Sequence, residues 1–260
     1  FLVLREGKST GDFMINIVTA HRPDDYKELD ALTESLVRTF PEITTIVHTI
    51  NKKRAQVATG EEVRILYGDG FITEKLGELS YRISANSFFQ TNTRQTKRLY
   101  DKIVEFGQFS GHENVYDLYC GAGSISIYIA PKVKHVTGIE IFPQAIEDAH
   151  YNARMNDIDN CTFIAGDMKD TISKPHALVQ NHGKPDVLII DPPRSGMHPD
   201  IPFKILELLP DKIIYVSCNP STQARDLKIL CDGQYHLSQI QPVDMFPHTA
   251  HCETIASLTR

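Results

Sequence analysis

Cys218 stands in the run Ser217-Cys218-Asn219-Pro220-Ser221-Thr222, directly after the apolar stretch Ile213 to Val216. A thiol at the carboxyl end of a strand, in a polar loop entering a helix near Gln223, lies close to backbone amides that lower thiol pKa, which is the setting of a nucleophile. Taken in isolation it is explained more simply by burial, because cysteine is among the most often buried residue types; Cys120, Cys161 and Cys231 are read that way. A second group is Asp117-Leu118-Tyr119-Cys120-Gly121-Ala122-Gly123. Its two glycines let a backbone approach a ligand, but Ser126 stands where the third glycine of a dinucleotide fingerprint belongs, which disfavours pyrophosphate. Glu140 follows Gly123 by seventeen residues, where a strand-end carboxylate accepts hydrogen bonds from both ribose hydroxyls, and Asp167 is placed to meet an adenine amino group. This set suits a nucleoside without phosphates, of which S-adenosylmethionine is the commonest cofactor. The alternative is a tight turn beside a solvated glutamate.

Two further runs bear chemistry. In Asp191-Pro192-Pro193-Arg194-Ser195-Gly196 the prolines fix φ and remove donors, so the acid and its neighbouring carbonyls form a rigid wall of acceptors. Asp-Pro-Pro also occurs in amino-group methylases and in ordinary turns. In Val243 to Glu253, His248 and His251 lie three apart beside Cys252 and Glu253. On a loop that spacing does not aim both imidazoles at one point, and no distant ligand pair completes a metal site, so no metal is expected. Glu253 is better read as an acid–base carboxylate entering the strand beside the Cys218 loop; the plain alternative is a surface glutamate.

These groups need strands and helices to hold them. At 260 residues, 41% apolar and 23% charged, the chain fits one large domain, or a large one with a small one, and excludes disorder, collagen and fibre. No apolar run reaches the roughly 18 residues of a bilayer span and no signal peptide opens the chain, so a cytoplasmic protein is expected. Its start at Phe1 rather than Met, within Phe1-Leu2-Val3-Leu4, suggests a piece of something longer. Five cysteines without a Cys-x-x-Cys pair argue against zinc ribbons, redox motifs and iron–sulfur runs. Strand-like Phe13 to Thr19, a helix from Tyr26 to Phe40, strand Ile43 to Ile50, a loop at Asn51-Lys52-Lys53-Arg54, and strands at Val63 to Tyr67 and Ile83 flanking Gly68-Asp69-Gly70 make a small α+β unit. Beyond Asn92, helices from Thr93 to Phe106, after the glycine loop through Tyr128, and from Pro143 to Met155 alternate with short apolar strands. These are Val115 to Leu118, Val136 to Glu140, Thr162 to Ile164, Val187 to Ile190, Lys212 to Val216 and Thr254 to Leu258. The alternation predicts a parallel, doubly wound sheet with its ligand at the carboxyl ends of the strands.

Taken together, the motifs resemble the RNA uracil-5 methyltransferase family, the enzymes that make 5-methyluridine in ribosomal and transfer RNA. Asp191-Pro192-Pro193-Arg194-x-Gly196 with Ile213-Ile214-Tyr215-x-Ser217-Cys218-Asn219-x-x-Thr222 carries the match, and so does Asp244-x-Phe246-Pro247-His248-Thr249-x-His251-x-Glu253. Ser87-Phe88-Phe89-Gln90 is similar to the family's entry to its catalytic domain. The resemblance implies a Rossmann-like S-adenosylmethionine methyltransferase domain over residues 87–260, preceded by a small α+β RNA-contacting domain over 1–86. It makes Cys218 the nucleophile, Glu253 the base, and Gln90, Tyr119, Glu140 and Asp191 cofactor contacts, to which the residue reading adds Gly121 and Asp167. Cys252 departs from the aliphatic or aromatic residue usual beside the base. Asp-Pro-Pro-Arg and the Gly-Ala-Gly loop are more similar to the branch acting on 23S rRNA than to the tRNA branch.

Such an enzyme is expected to act as a monomer on RNA, without membrane or metal. An RNA cytosine-5 methyltransferase has Pro-Cys or Thr-Cys at its nucleophile, unlike Ser217-Cys218, and a non-catalytic RNA-binding module would not need both Cys218 and Glu253. A dehydrogenase is disfavoured by Ser126. The net charge of −6 excludes RNA affinity from bulk charge. Lys52-Lys53-Arg54 and the set Arg82, Arg94, Lys97, Arg98 and Lys102 against Asp101 alone are candidates for a phosphate-contacting rim, with solvated faces as the alternative.

Overall fold

The computed structural model describes residues 1–52, 60 and 62–260, which form two compact units, Phe1–Phe89 and Gln90–Arg260. Lys53 and Arg54 of the basic run lie outside the described residues.

In the first unit, β1 (Leu2–Glu6), β2 (Phe13–Thr19), β3 (Thr45–Ile50) and β4 (Glu62–Tyr67) form one sheet in that order. β2 and β3 are parallel, joined by α1 (Lys27–Thr39), and the two edge strands run antiparallel to their neighbours. Alternation decides the faces: Ile15, Ile43 and Ile46 pack with Leu36 and Val37 of α1, while Met14 and Val47 pack with Ile72 and Ile83. The turn at Gly68-Asp69-Gly70 does not join a hairpin. β4 pairs back to β3, and β5 (Phe71–Leu76) forms its own hairpin with β6 (Leu79–Ser84) around Gly77, whose φ is +66°.

In the second unit, α2 (Thr93–Gly107) begins where the Asn92 side chain accepts from the backbone N–H of Gln95. There follow β7 (Asn114–Leu118), α3 (Ser124–Ile129), β8 (His135–Glu140), α4 (Pro143–Met155) and β9 (Cys161–Ala165). The short helices α5 (Met168–Ile172) and α6 (Pro175–His182) lead to β10 (Val187–Ile190), α7 (Ile201–Leu208), β11 (Lys212–Ser217), α8 (Pro220–Gly233), β12 (His236–Val243) and β13 (Glu253–Thr259). The sheet order is β12-β13-β11-β10-β7-β8-β9. Five strands, β7 to β11, are parallel, and Leu118, Leu188, Ile190, Ile213 and Leu258 are fully buried, as a sheet covered on both faces requires.

The parallel, doubly wound sheet expected from the sequence is present in these five strands, and one edge adds an antiparallel pair. β13 runs antiparallel between β11 and a further strand, β12, antiparallel to it in turn. β12 is exposed along all but its last residue and carries Pro242, both features of an edge strand without a buried face. The strand order reverses between β7 and β10, so the crevice at their carboxyl ends is the natural ligand position. Among the described residues no helix is long and apolar enough to cross a membrane.

Candidate active site

β7 ends at Leu118 and the backbone then takes a left-handed conformation at every second residue: Tyr119 φ +66°, Gly121 +54° and Gly123 +78°. Glycine meets this requirement freely; a bulky tyrosine is an outlier that the surroundings must hold in place. A Cβ on Gly123 would come within 3.0 Å of Ala149 and Phe163, whereas one on Gly121 would meet nothing within 4 Å. The loop is therefore packed on its helix side and open at Gly121. The Gly121 N–H donates to Glu140 Oε2 at 3.2 Å and the Phe142 N–H to Glu140 Oε1 at 3.1 Å, which fixes the carboxylate at the rim of that opening. Burial pushes the Tyr119 phenol up, followed by the charges of Asp226, Asp167 and Glu140, so Asp167 also faces this loop. The Asp167 carboxylate is exposed and caps α5, accepting from the Lys169 N–H at 2.8 Å.

The serine in place of a third glycine has a partner. Ser126 Oγ donates to Asp117 Oδ2 at 2.6 Å, and both residues are fully buried beneath the loop. Asp117 Oδ1 has no hydrogen-bond partner among the described residues, and burial lifts this carboxyl to about 7, against the opposing hydrogen bonds from Ser126. Cys120 lies over Gly138, where a Cβ would be 2.9 Å from its sulfur, and its thiol is pushed up by burial. That is a packing cysteine.

Asp191 follows β10, its N–H donating to Leu118 O at 3.3 Å. Its carboxyl is held well above the usual range by burial, then by the charges of Glu253 and Asp117. β11 and β13 bring up the remaining two groups. Ser217 faces Thr254 in their antiparallel register, so Cys218 and Glu253 are the next residues outward on facing strands, at one end of the sheet. Glu253 is 3% exposed, its Oε2 has no hydrogen-bond partner among the described residues, and burial raises its pKa to about 7. A group titrating near neutrality is suited to accept a proton and give it up again.

The thiol of Cys218 corrects an expectation. The strand-end position predicts a lowered pKa; instead burial raises it, Glu253 and Asp191 raise it further, and a backbone hydrogen bond and Arg194 oppose them with less effect. Burial, with two acids near the sulfur, outweighs the amides.

The loops carrying Asp191 and Cys218 are tied together. Asn219 caps α8 through its Oδ1, while its Nδ2 donates to Arg194 O at 3.2 Å, as does Thr222 Oγ1 at 3.4 Å. Buried Asp226 accepts from the Met197 N–H at 3.0 Å and from Tyr215 Oη at 2.7 Å. Gly196, at φ +79°, lies where a Cβ would be 2.7 Å from Arg225 Nη2 and 2.9 Å from Asp226 Oδ2. Sequence reasoning passed over Asp226, Gln223 and Thr254. The available signal is that Gln223 and Asp226 stand at the head of the stripe continued by Leu227 and Leu230, polar residues on a face that must be buried.

Gln90 is buried at the head of the second unit, before α2, and no hydrogen bond joins it to the loops just described. Between β12 and β13, His248 takes φ +66° and Thr249 Oγ1 donates to Phe246 O at 2.7 Å. Among the described residues no group of three or more His, Cys, Asp or Glu side chains is placed to hold a metal ion.

Comparison with known proteins gives this arrangement a context. The family model described as tRNA (uracil-5-)-methyltransferase matches residues 50–260. An uncharacterized RNA methyltransferase of Chlorobaculum tepidum is 44% identical over 260 residues, 100% of this chain and 53% of the relative. One of Halalkalibacterium halodurans is 42% identical over 257 residues, 99% of this chain and 55% of the relative. The chain thus spans about half the length of the curated relatives it matches. The crystal structure of Pyrococcus abyssi tRNA (uracil-54, C5)-methyltransferase in complex with S-adenosyl-L-homocysteine superimposes with a TM-score of 0.77 at 34% identity, covering 99% of this chain and 59% of that one. The fold is the Rossmann-like fold of S-adenosylmethionine-dependent methyltransferases. With a family model matched over its last 211 residues and relatives more than 40% identical along nearly its whole length, the chain belongs to the tRNA (uracil-5-)-methyltransferase family of RNA methyltransferases.

Proposed function

We propose that this chain carries the catalytic site of an enzyme that methylates carbon 5 of a uridine in RNA, with Cys218 as nucleophile and Glu253 as base. The observation that carries the reading is the pairing of Ser217 with Thr254, which sets a thiol and a buried carboxyl that titrates near neutrality on facing strand ends.

S-adenosylmethionine, when bound, supplies an electrophilic methyl group on a cationic sulfur. The residues fit such a ligand: Glu140 is fixed at the open side of Gly121, Tyr119 lies in the same loop, and Asp117, Asp191 and Glu253 are crowded acids that a cation would relieve. Gln90, Tyr119, Gly121, Glu140, Asp167 and Asp191 are the proposed contacts. Carbon 5 of uracil is too weak a nucleophile by itself, so Cys218, its thiol proton lost to solvent, attacks carbon 6 as the thiolate and places an enolate's electrons on carbon 5. After methylation, Glu253 removes the carbon 5 proton, the electron pair of that C–H bond rebuilds the ring double bond, and the bond to sulfur breaks. A stacked uridine must leave its stack to be attacked, at a cost of a few kcal/mol.

The proposed target is 23S rRNA, on the likeness of Asp191-Pro192-Pro193-Arg194 and the Gly-Ala-Gly loop to that branch, with the protein acting as a cytoplasmic monomer. A tRNA target is the second reading, favoured by the tRNA (uracil-54, C5)-methyltransferase that this chain resembles in structure. Mass mapping of 5-methyluridine in RNA from a deletion strain separates the two. For the chemistry, Cys218→Ala should retain binding of S-adenosylhomocysteine and lose methyl transfer, and RNA carrying 5-fluorouridine should form an adduct with the wild type that survives denaturation, because fluorine does not leave as a proton. Methylation by Cys218→Ala at the wild-type rate would refute the assignment.

A further inference from the structure

The buried stripe of α8 opens with an amide. Gln223 is 1% exposed, and both ends of its amide are engaged toward β11 and β13. Nε2 donates to Tyr215 O at 2.8 Å and to Thr254 O at 3.3 Å, and Oε1 accepts from Thr254 Oγ1 at 2.7 Å. Thr254 Oγ1 lies, in addition, 3.4 Å from Ser217 O. Tyr215 and Ser217 belong to β11 and Thr254 to β13, so one buried side chain is bonded to both strands at the register step just below Cys218 and Glu253. With both amide protons and the oxygen engaged, neither a rotation of the amide nor a slip of one strand past the other is possible without breaking bonds in a dry interior. A leucine would fill the stripe without the desolvation cost of an amide. The polar choice therefore calls for a reason beyond packing.

We infer that Gln223 and Thr254 form a positioning pair that sets the Glu253 carboxylate against the ring held by Cys218. The inference rests on the roles proposed above for those two residues. In addition at carbon 6 and methylation at carbon 5, Cys218 holds the ring and Glu253 makes or breaks no bond. The last step calls on both at once: Glu253 takes the carbon 5 proton, the C–H electron pair becomes the ring double bond, and the carbon 6 to sulfur bond breaks with its pair returning to Cys218. A misplacement of one strand end by a fraction of an ångström thus falls on release of product and leaves methyl transfer nearly intact.

The test uses the full-length protein, an unmodified 23S rRNA transcript and methyl-labelled S-adenosylmethionine under single-turnover conditions, with Gln223→Leu, Thr254→Val and Thr254→Ser. For Gln223→Leu and Thr254→Val, methyl incorporation is expected within about threefold of wild type while release of methylated RNA slows on the order of ten- to a hundredfold. The trapped species is read as a methyl-labelled protein–RNA band that survives denaturation. Thr254→Ser, which keeps the hydroxyl, is expected to release product as wild type does. Release at the wild-type rate in Gln223→Leu and Thr254→Val, or an equal fall of methylation and release, overturns the positioning role. Should Gln223→Leu fail to fold, the contrast between Thr254→Val and Thr254→Ser decides the matter. Absence of any adduct between the wild type and 5-fluorouridine RNA, with ordinary RNA methylated normally, overturns the covalent reading itself and this inference with it.

Discussion

Replacing Glu253 by glutamine should make the folded chain more stable at pH 8 while removing the proposed base. Glu253 is 3% exposed with Oε2 unpartnered among the described residues, and burial raises its pKa from the ordinary 4.5 to about 7. An acid raised in this way keeps its proton in the folded chain over a range of pH in which the unfolded chain has lost it. The stability this contributes is full below about pH 4.5 and is lost as the pH rises through about 7. A rise from 4.5 to about 7 is worth about 3 kcal/mol above pH 7, at roughly 1.4 kcal/mol per pH unit. Glutamine has nearly the same shape and no charge to desolvate. Glu253→Gln should therefore exceed the wild type by up to about 3 kcal/mol at pH 8, some 6–12 °C in Tm for a chain of this size, and by less than about 1 kcal/mol at pH 5. Relief of Asp191, whose carboxyl Glu253 also pushes up, acts in the same direction. Thermal and urea unfolding of both proteins at half-unit steps from pH 5 to 8 provide the measurement. A stability gap that does not widen with pH, or a variant less stable than wild type at pH 8, would refute the argument.

Two more perturbations probe the loops. Glu140→Ala removes the carboxylate that the Gly121 and Phe142 amides hold in place, and binding of S-adenosylhomocysteine, followed by calorimetry, should weaken at least about tenfold, the cost of one charge-assisted hydrogen bond. Unchanged affinity would remove Glu140 from the binding site. Gly196→Ala places a methyl 2.7 Å from Arg225 Nη2 and 2.9 Å from Thr222 Cβ on a backbone at φ +79°. It should lower the urea midpoint by the equivalent of about 1–3 kcal/mol, and no loss would show that this loop can shift freely.

What the sequence disclosed depended on how much a segment's surroundings had already selected its residues. The parallel strands were legible because both faces are covered, which leaves near-continuous runs such as Val187 to Ile190, and Pro143 marked the first turn of α4. β12 was not, because Gln239, Gln241 and Pro242 face water and no periodicity survives there. The direction of β13 was equally hidden: its Ile255, Ala256 and Leu258 are buried whichever way the strand runs. At the site, Cys218 and Glu253 could be singled out by the motifs around them, Ser217-Cys218-Asn219 and Phe246-Pro247-His248-Thr249 to Glu253. Their supports were fainter: Gln223 shows in the sequence only as a polar residue heading the buried stripe of α8, and its partners Tyr215, Ser217 and Thr254 on β11 and β13 appear only in the fold. Ser126 was legible merely as a missing glycine, and its real partner, Asp117, needs the helix folded over the strand to be seen.

Burial, and after it the acids at these strand ends, explains why the thiol departs from the simple expectation. Asp117, Asp191 and Glu253 are each raised, and in each case burial is the largest cause. Protons are thus held where a chain without ligand cannot otherwise place so much negative charge. The Cys218 thiol is raised by two of the same acids, against which Arg194 has the smaller effect. Protonating Glu253 would ease thiolate formation, yet the role proposed for Glu253 needs it ionised to take a proton from carbon 5. A site built of these residues can serve both needs in one turnover only if its charge changes along the way. On the proposed reading it does, because the sulfur that arrives as a sulfonium cation is a neutral thioether once the methyl has gone. While the cation is present it favours both the Cys218 thiolate and the ionised acids around it. Once it is neutral, the carboxylate of Glu253 is again penalised by burial, and that penalty turns the same residue into a stronger base at the step where a base is required.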